Sequence, residues 1–485
     1  MKKIILLSTL VILSYAGGAS TYYVDAANGN DNNDGTSPSK AWRSIAKVNQ
    51  SDFLPGDSVL FKSGEAYAGQ LELKLIGEPR KPVVVGSYGQ GNKPEIRGNG
   101  EKRYALMLQD PSYCVVRDLE ITNTGKEREA RRLGVLISAE NSGERYQVTL
   151  DNLTVKNVNG SLVKKEGGGG AISCVNRGDS IRTRFVGLKI LNCRIVNCGR
   201  NGITVSGYWQ RDNWYPNLEV SICGNILEGV PGDGIVPTGC DGAVIEHNIM
   251  RDSPDTMPFG DAAAGIWPWS CDNTLIQYNE VSGHDAKWDA QGFDSDDNSY
   301  NTVFQYNYSH DNAGGFMLVC SDGDSAGDGK NNGTGNTIVR YNVSINDGIR
   351  TFPTDRVGWF SPVIHISGPV TDTRFHNILI VVKKKTAPEI DRTMLKMEGW
   401  SGRWPEKTFF KNNIFYVEDD AESNFAHEGQ TVFDGNTFIG DNFISKPDDK
   451  NSKTGDDVVI KLLKANDIEG IFKYLHAATQ NDKNE

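Results

Sequence analysis

A short apolar strand ending in asparagine returns along this chain. It appears at Val220–Asn225, Val244–Asn248, Leu275–Asn279, Val303–Asn307, Ile338–Asn342, Phe375–Asn377, Phe409–Asn413 and Val432–Asn436. Successive asparagines stand between 23 residues (Asn225 to Asn248) and 36 residues (Asn377 to Asn413) apart. A β-propeller blade needs ~40–45 residues, and a leucine-rich repeat of 20–29 carries its own leucine signature. The spacing predicts a parallel β-helix, in which each coil buries its apolar face only by stacking on its neighbours. Asparagines pointing inward at one phase predict a ladder of side-chain hydrogen bonds from coil to coil.

A second strand follows each turn and opens on glycine: Asn201-Gly202-Ile203, Asp233-Gly234-Ile235, Ala264-Gly265-Ile266, Gln291-Gly292-Phe293 and Gly314-Gly315-Phe316. Residues then alternate with period two, so an inward Ile or Phe fixes which neighbours face out. The predicted outward pairs are Thr204/Ser206, Val236/Thr238, Trp267/Trp269, Asp294/Asp296 and Met317/Val319, continued by Arg350 or His365 and by Lys396/Glu398. The ends read as caps. Ala41–Asn49 has a helical apolar stripe (Trp42, Ile45, Val48), and Val458–Ala478 has another. The expected organisation is a β-helix over residues 20–445, then a polar linker and C-terminal helix over 446–485.

The 485 residues include 53 glycines and carry a net charge of −11. That glycine content exceeds the usual ~7% and suits many tight turns. The charge argues against nucleic acid or an anionic membrane surface as partner. Lys2, Lys3, the apolar run Ile4–Leu13 and the small residues after it predict a signal peptide over residues 1–19. Export to the periplasm or beyond is expected, with no membrane insertion, no lipoprotein cysteine and a monomeric state. The eight cysteines sit mostly in apolar strands and read as free, buried thiols.

Four N-terminal segments carry a family resemblance: Tyr22-Tyr23-Val24-Asp25, Gly29–Thr36, Pro55-Gly56-Asp57-Ser58-Val59 and Gly64-Glu65-Ala66-Tyr67. They resemble the opening coils of exported right-handed parallel β-helix proteins of the pectate-lyase-like superfamily. The resemblance implies an all-β, right-handed, single-stranded parallel β-helix, and many of its members act on polysaccharides. The superfamily holds hydrolases, lyases and non-catalytic binders, so the fold does not choose among them.

The outward column supplies candidate chemistry. Asp294 and Asp296 share one face with Cβ atoms ~6.5–7 Å apart. Two carboxylates that close raise one another's proton affinity, and glycoside hydrolysis needs one protonated acid and one ionised base or nucleophile. Asp289, which would tune the pair, and Gln291 approach from the preceding turn. Trp267 and Trp269, one coil away, would stack on a sugar ring unless a loop covers them. His310 would edge the site, although its match with His284 also suits a coil corner. Arg350, His365 and Glu398 extend the substrate-binding column. No cofactor is required on this reading. Calcium is left open at the aspartates and at Asn28–Gly35, which lacks the closing Glu of an EF-hand loop. The expected function is a glycoside hydrolase, with a polysaccharide lyase, calcium-dependent or not, as alternative and a non-catalytic glycan binder as second alternative.

Overall fold

The computed structural model describes residues 18–481 apart from 259–260, 325–326, 355–357, 401, 419–420 and 428–429. Almost all of the expected signal peptide therefore lies outside the described residues.

Every strand pairing within the solenoid is parallel, and three faces build each coil. One face is a 15-stranded sheet beginning at Thr21–Val24, and the second a 14-stranded sheet ending at Lys453–Thr454. The third is split into two six-stranded sheets, from Leu71–Leu73 to Ile235–Thr238 and from Gln291–Ser295 to Phe443–Ile444. Between them the coil at Ala264–Trp269 holds on by single bridges, Ile235 to Ile266 and Ile266 to Phe293. Pro268 sits in that coil, and proline cannot donate to a ladder.

The inward residues predicted at the glycine corners are interior: Ile203, Ile235, Ile266 and Phe293 are fully buried. The corner glycines stack backbone against backbone. A Cβ at Gly234 would stand 2.2 Å from Met250 Sδ and 2.5 Å from the Gly265 carbonyl oxygen, distances no side chain tolerates.

The asparagine ladder is present. Asn225 Nδ2 donates to Asn248 at 2.8 Å, and the chain continues to Asn279, Asn307 and Asn342 at 3.0 Å each. Asn377 is not a rung. It occupies the left-handed corner at φ 53, as Tyr341 does at φ 56, and Ile378 takes the interior position. The ladder resumes at Asn413 and Asn436 and ends on Asp449, whose carboxylate accepts Asn436 Nδ2 at 2.8 Å. The stretch expected as a linker thus closes the solenoid, because Lys453–Thr454 pairs with Thr437–Phe438.

The caps are shorter than expected. Helix α1 spans Ile45–Asn49, capped by Ser44, while Trp42 is extended and bridges Val24. The C-terminal pattern forms two helices, α2 (Asp457–Lys464) and α3 (Ile468–Asn481). Val459, Ile471 and Leu475 pack on the flank against Tyr341, Val343, Leu379 and Ile414. All eight cysteines are free, and seven are buried. Among the described residues, no helix is long and apolar enough to cross a membrane.

Candidate active site

A cavity of about 490 Å³ opens on the outer side of the third face, where the sheet is interrupted. Asp289, Gln291, Asp294, Asp296, Trp267, Arg350, His365 and Glu398 all line it, so strand phase gathers eight of the ten expected residues. Asp294 and Asp296 leave one side of Gln291–Ser295 and its extension. Asp294 pairs with Leu318, Leu318 with His365, and His365 with Lys396.

The phase slips by one residue at the Gly314-Gly315 corner, where Gly315 has φ 124. Met317 and Val319, expected outward, are fully buried in the core, and Leu318 and Cys320 face the cavity instead. The slip brings a thiol to the acids. Cys320 Sγ donates to Asp296 Oδ1 at 3.2 Å, and the Asp297 amide donates to the same oxygen at 2.7 Å.

Asp289 arrives on a strained turn. Asp289 and Ala290 are both left-handed, at φ 59 and 64, a conformation costing of order 1 kcal/mol or more for a residue that is not glycine. Its surroundings enforce the turn. Trp288–Asp289 pairs with Ala262–Ala263, and the Ala290 amide donates to the Ala263 carbonyl at 2.8 Å. Gly314 leaves room for it, since a Cβ there would stand 1.5 Å from the Asp289 carbonyl oxygen. Arg350 closes the clamp. Its guanidinium donates to the carbonyls of Ala286 (3.0 Å), Lys287 (2.7 Å), Asp289 (3.0 Å) and Phe360 (3.2 Å). It is 1% exposed. The expected substrate-binding Arg350 is instead bound to the backbone that aims Asp289.

Electrostatics favour protonated acids here. Burial, then the charge of neighbouring Asp296 and Asp289, pushes Asp294 well above the carboxylate range. Burial, followed by Asp297, pushes Asp296 up to about 7. Burial pushes Asp289 up to about 6, against the opposing pull of His365 and Lys164. Asp233 behaves oppositely: burial would raise it, but its ion pair with Arg200 keeps it below its ordinary value. Glu398 is held low by its 3.0 Å hydrogen bond with His365.

Asp294 Oδ1, Gln291 Oε1 and Trp267 Nε1 are buried without a protein partner, although buried polar groups are ordinarily satisfied. One ligand atom each from Asp294, Asp296 and Cys320 lie within 4.8 Å of one another. A thiol in that set is poor calcium chemistry, since calcium takes oxygen ligands. At Asn28–Gly35, Asp31 accepts from the Arg43 and Ser44 amides and Asp34 from the Thr36 amide.

Two of the ten expected residues lie outside the cavity lining. Trp269 is covered by a loop: its ring stacks on Trp209 at 5.1 Å and 18°. His310 lies on the second face, bound to Asp311 at 2.9 Å and Glu280 at 3.4 Å. Burial alone would lower it, but those partners raise it to about 9. Its counterpart His284 is fully buried against the Gly232 carbonyl, so the pair marks coil corners. Trp267 lines the cavity but is only 8% exposed.

Other lining residues were not foreseen: Lys164, Asp233, Trp288, Cys320, Phe360 and Trp400. Lys164 reaches over from the Gly160–Gly170 loop, its Nζ 6.0 Å from the Trp267 ring centre. Nothing in strand periodicity locates such a loop. Trp288, next to Asp289, and Asp233, in the Asp-Gly-Ile corner, did carry a signal.

A family model described as a right handed beta helix region matches residues 94–349, just over half of the chain. The lacto-N-biosidase of Bifidobacterium longum subsp. longum is 29% identical over 543 aligned residues, covering 90% of this chain and 32% of that protein. The chain thus spans about a third of the length of that curated relative. The structure of a GH136 lacto-N-biosidase from Eubacterium ramulus superposes with a TM-score of 0.63 at 23% identity, covering 86% of this chain and 67% of that one. A mannuronic acid specific polysaccharide family 6 lyase from human gut microbiota superposes with a TM-score of 0.52 at 12% identity, covering 95% and 100%. At such identities the structural likenesses establish the fold.

Proposed function

The chain belongs to the right-handed β-helix family, and on that premise we propose that it is a glycoside hydrolase with lacto-N-biosidase-like activity. One observation carries the reading. Acids with raised proton affinity share a cavity with three unpartnered buried polar groups, Asp294 Oδ1, Gln291 Oε1 and Trp267 Nε1. A polyhydroxylated ring supplies the missing hydrogen bonds, and the acids supply the chemistry. The similarity to the Bifidobacterium longum lacto-N-biosidase over 90% of this chain supports the same class.

The roles follow from exposure and proton affinity. Asp294 is 5% exposed, and burial together with the neighbouring acids favours its protonated form, so its role is to donate a hydrogen bond rather than to attack. Asp296 and Asp289 are half-buried and titrate near neutrality, at about 7 and about 6. Asp296, the higher, gives its proton to the glycosidic oxygen. Asp289, the lower, works ionised at the developing positive charge of the sugar, as nucleophile or as base to water. This revises the expected division, in which Asp294 and Asp296 were the reacting pair and Asp289 the tuner. Arg350 holds Asp289 through its backbone, and the His365–Glu398 pair faces the bound sugar.

No step in this scheme passes through a metal, and the Cys320 thiol beside Asp294 and Asp296 disfavours calcium. The leader expected at residues 1–19 supports export, and the glycan substrate suits that location. A monomer suffices, since one chain supplies every group named. The test is turnover of a chromogenic aryl lacto-N-bioside by the purified protein. Release of the aryl group by wild type is expected, with its loss in Asp289→Asn and, for an aryl group that leaves only when protonated, in Asp296→Asn. No release from this or any related aryl disaccharide would remove the proposal.

A further inference from the structure

The cavity does not end at its own wall. Along the third face, Leu318, His365, Lys396 and Ala426 follow one another in register. Lys396 is thus three rungs from Asp294, or about 14 Å at ~4.8 Å per rung. Glu398 and Gly399 line the catalytic cavity, while Lys396 and Met397 of the same strand line a second hollow of about 270 Å³. That hollow is also lined by Trp404, His427 and Lys446.

Two tryptophans stand where the hollows meet. Trp400, 43% exposed, is on the rim of the first, and Trp404, 40% exposed, walls the second. The backbones of Trp400 and Arg403 hydrogen-bond to each other in both directions. The Arg403 guanidinium in turn donates to the Asp322 and Gly323 carbonyls. Trp404 packs flat over Gly399, where a Cβ would stand 2.7 Å from the indole nitrogen. An exposed indole already packed on backbone, as Trp404 is, loses little entropy on binding.

The charge in the second hollow is positive on a chain of net charge −11. Lys396 has no ion pair among the described residues. Its acidic neighbour on the strand, Glu398, is engaged by His365 at 3.0 Å. Lys446 holds its ammonium 4.2 Å above the Phe438 ring.

We propose that the second hollow is a distal glycan subsite that binds an anionic substituent, a carboxylate or a sulfate ester, on the sugar chain leaving the catalytic cavity. Trp404 is the stacking platform, and Lys396 and Lys446 receive the acid. The inference rests on the hydrolase reading only in taking the ligand to be a glycan.

Calorimetric titration tests it without turnover, using 3′-sialyllactose, 3′-sulfated lactose and lactose. At least one acidic trisaccharide or disaccharide should bind about tenfold more tightly than lactose, in line with two partly exposed charge pairs. Whichever acid binds identifies the substituent. Lys396→Ala/Lys446→Ala should erase the preference, and the Arg pair at both positions should restore it. Trp404→Ala should weaken all three ligands about tenfold and Trp404→Phe less. Melting temperatures of the variants check folding. Equal binding of lactose and both acidic glycans, or a preference that survives the double alanine variant, would overturn the proposal. Aryl-glycoside turnover measured in parallel reports on the hydrolase reading separately.

Discussion

Substituting the three cavity aspartates one at a time should split them into two classes. Asp294 is 5% exposed and pushed far up by burial and by Asp296, Asp289, Asp297 and Asp233. Those influences favour its neutral form, and Asp294→Asn puts a neutral group of the same shape in its place. The carboxamide still offers an N–H donor, so only the geometry of one hydrogen bond changes, about 1 kcal/mol or a roughly fivefold fall in kcat. Asp296→Asn removes the proton donor and should cost about 10²–10⁴-fold. The leaving group identifies the acid further. A dinitrophenyl glycoside departs without protonation, so Asp296→Asn should recover much of its rate on that substrate. Asp289→Asn should not recover. Wild-type kcat/KM should be bell-shaped, with limbs set by the values of about 6 and about 7, and Asp296→Asn should lose the alkaline limb. The assay is aryl release across pH 4–9, with circular dichroism as the control. If Asp294→Asn is as inactive as Asp296→Asn, then Asp294 works ionised and the division of roles is wrong.

Three further outcomes follow from the same geometry. Arg350→Met removes donors to four carbonyls around Asp289; kcat should fall about 10²-fold through a misplaced carboxylate while KM moves little. A large KM change would mean that Arg350 touches substrate. Asp289, raised to about 6 from 3.8 in the fold, binds its proton more tightly than in the unfolded chain. Its contribution to stability is present below pH ~4 and is lost as pH rises towards 6, amounting to at most about 3 kcal/mol. The melting temperature of wild type should therefore fall relative to Asp289→Asn over that window, and parallel curves would contradict it. Asn279→Ala leaves the Asn248 amide and Nδ2 without their 2.9 and 3.0 Å acceptor; a loss of about 1–3 kcal/mol is expected in denaturant melts.

Much of this architecture could be read in the sequence because a solenoid repeats local rules. Asparagine at one phase and glycine at each corner located the ladder and the third face. Strand alternation brought Asp294, Asp296, His365 and Glu398 to one side. The reading failed where the local rule broke. Two adjacent glycines shifted the phase by one residue, hiding Cys320 and Leu318. The strand register runs on unbroken past Asn342, but Asn377 stands one residue before the rung position, at the left-handed corner, and Ile378 fills the rung. Trp269 faces outward as expected, but the loop bearing Trp209 covers it. Lys164 comes from a loop more than a hundred residues before the acids, and no periodicity encodes that approach. Arg350 was placed at the site, but only its contacts with four carbonyls reveal that it serves the backbone.

The central claim, that this cavity hydrolyses glycosidic bonds, is tested most directly by the products of the wild-type protein. Neutral and acidic oligosaccharides and polysaccharides should be incubated with it, following reducing ends and absorbance near ~235 nm in the same samples. The account predicts new reducing ends with no rise in absorbance, since both acids act in proton transfer and attack at the anomeric carbon. A rise in absorbance matched to bond cleavage would mean β-elimination and would contradict it.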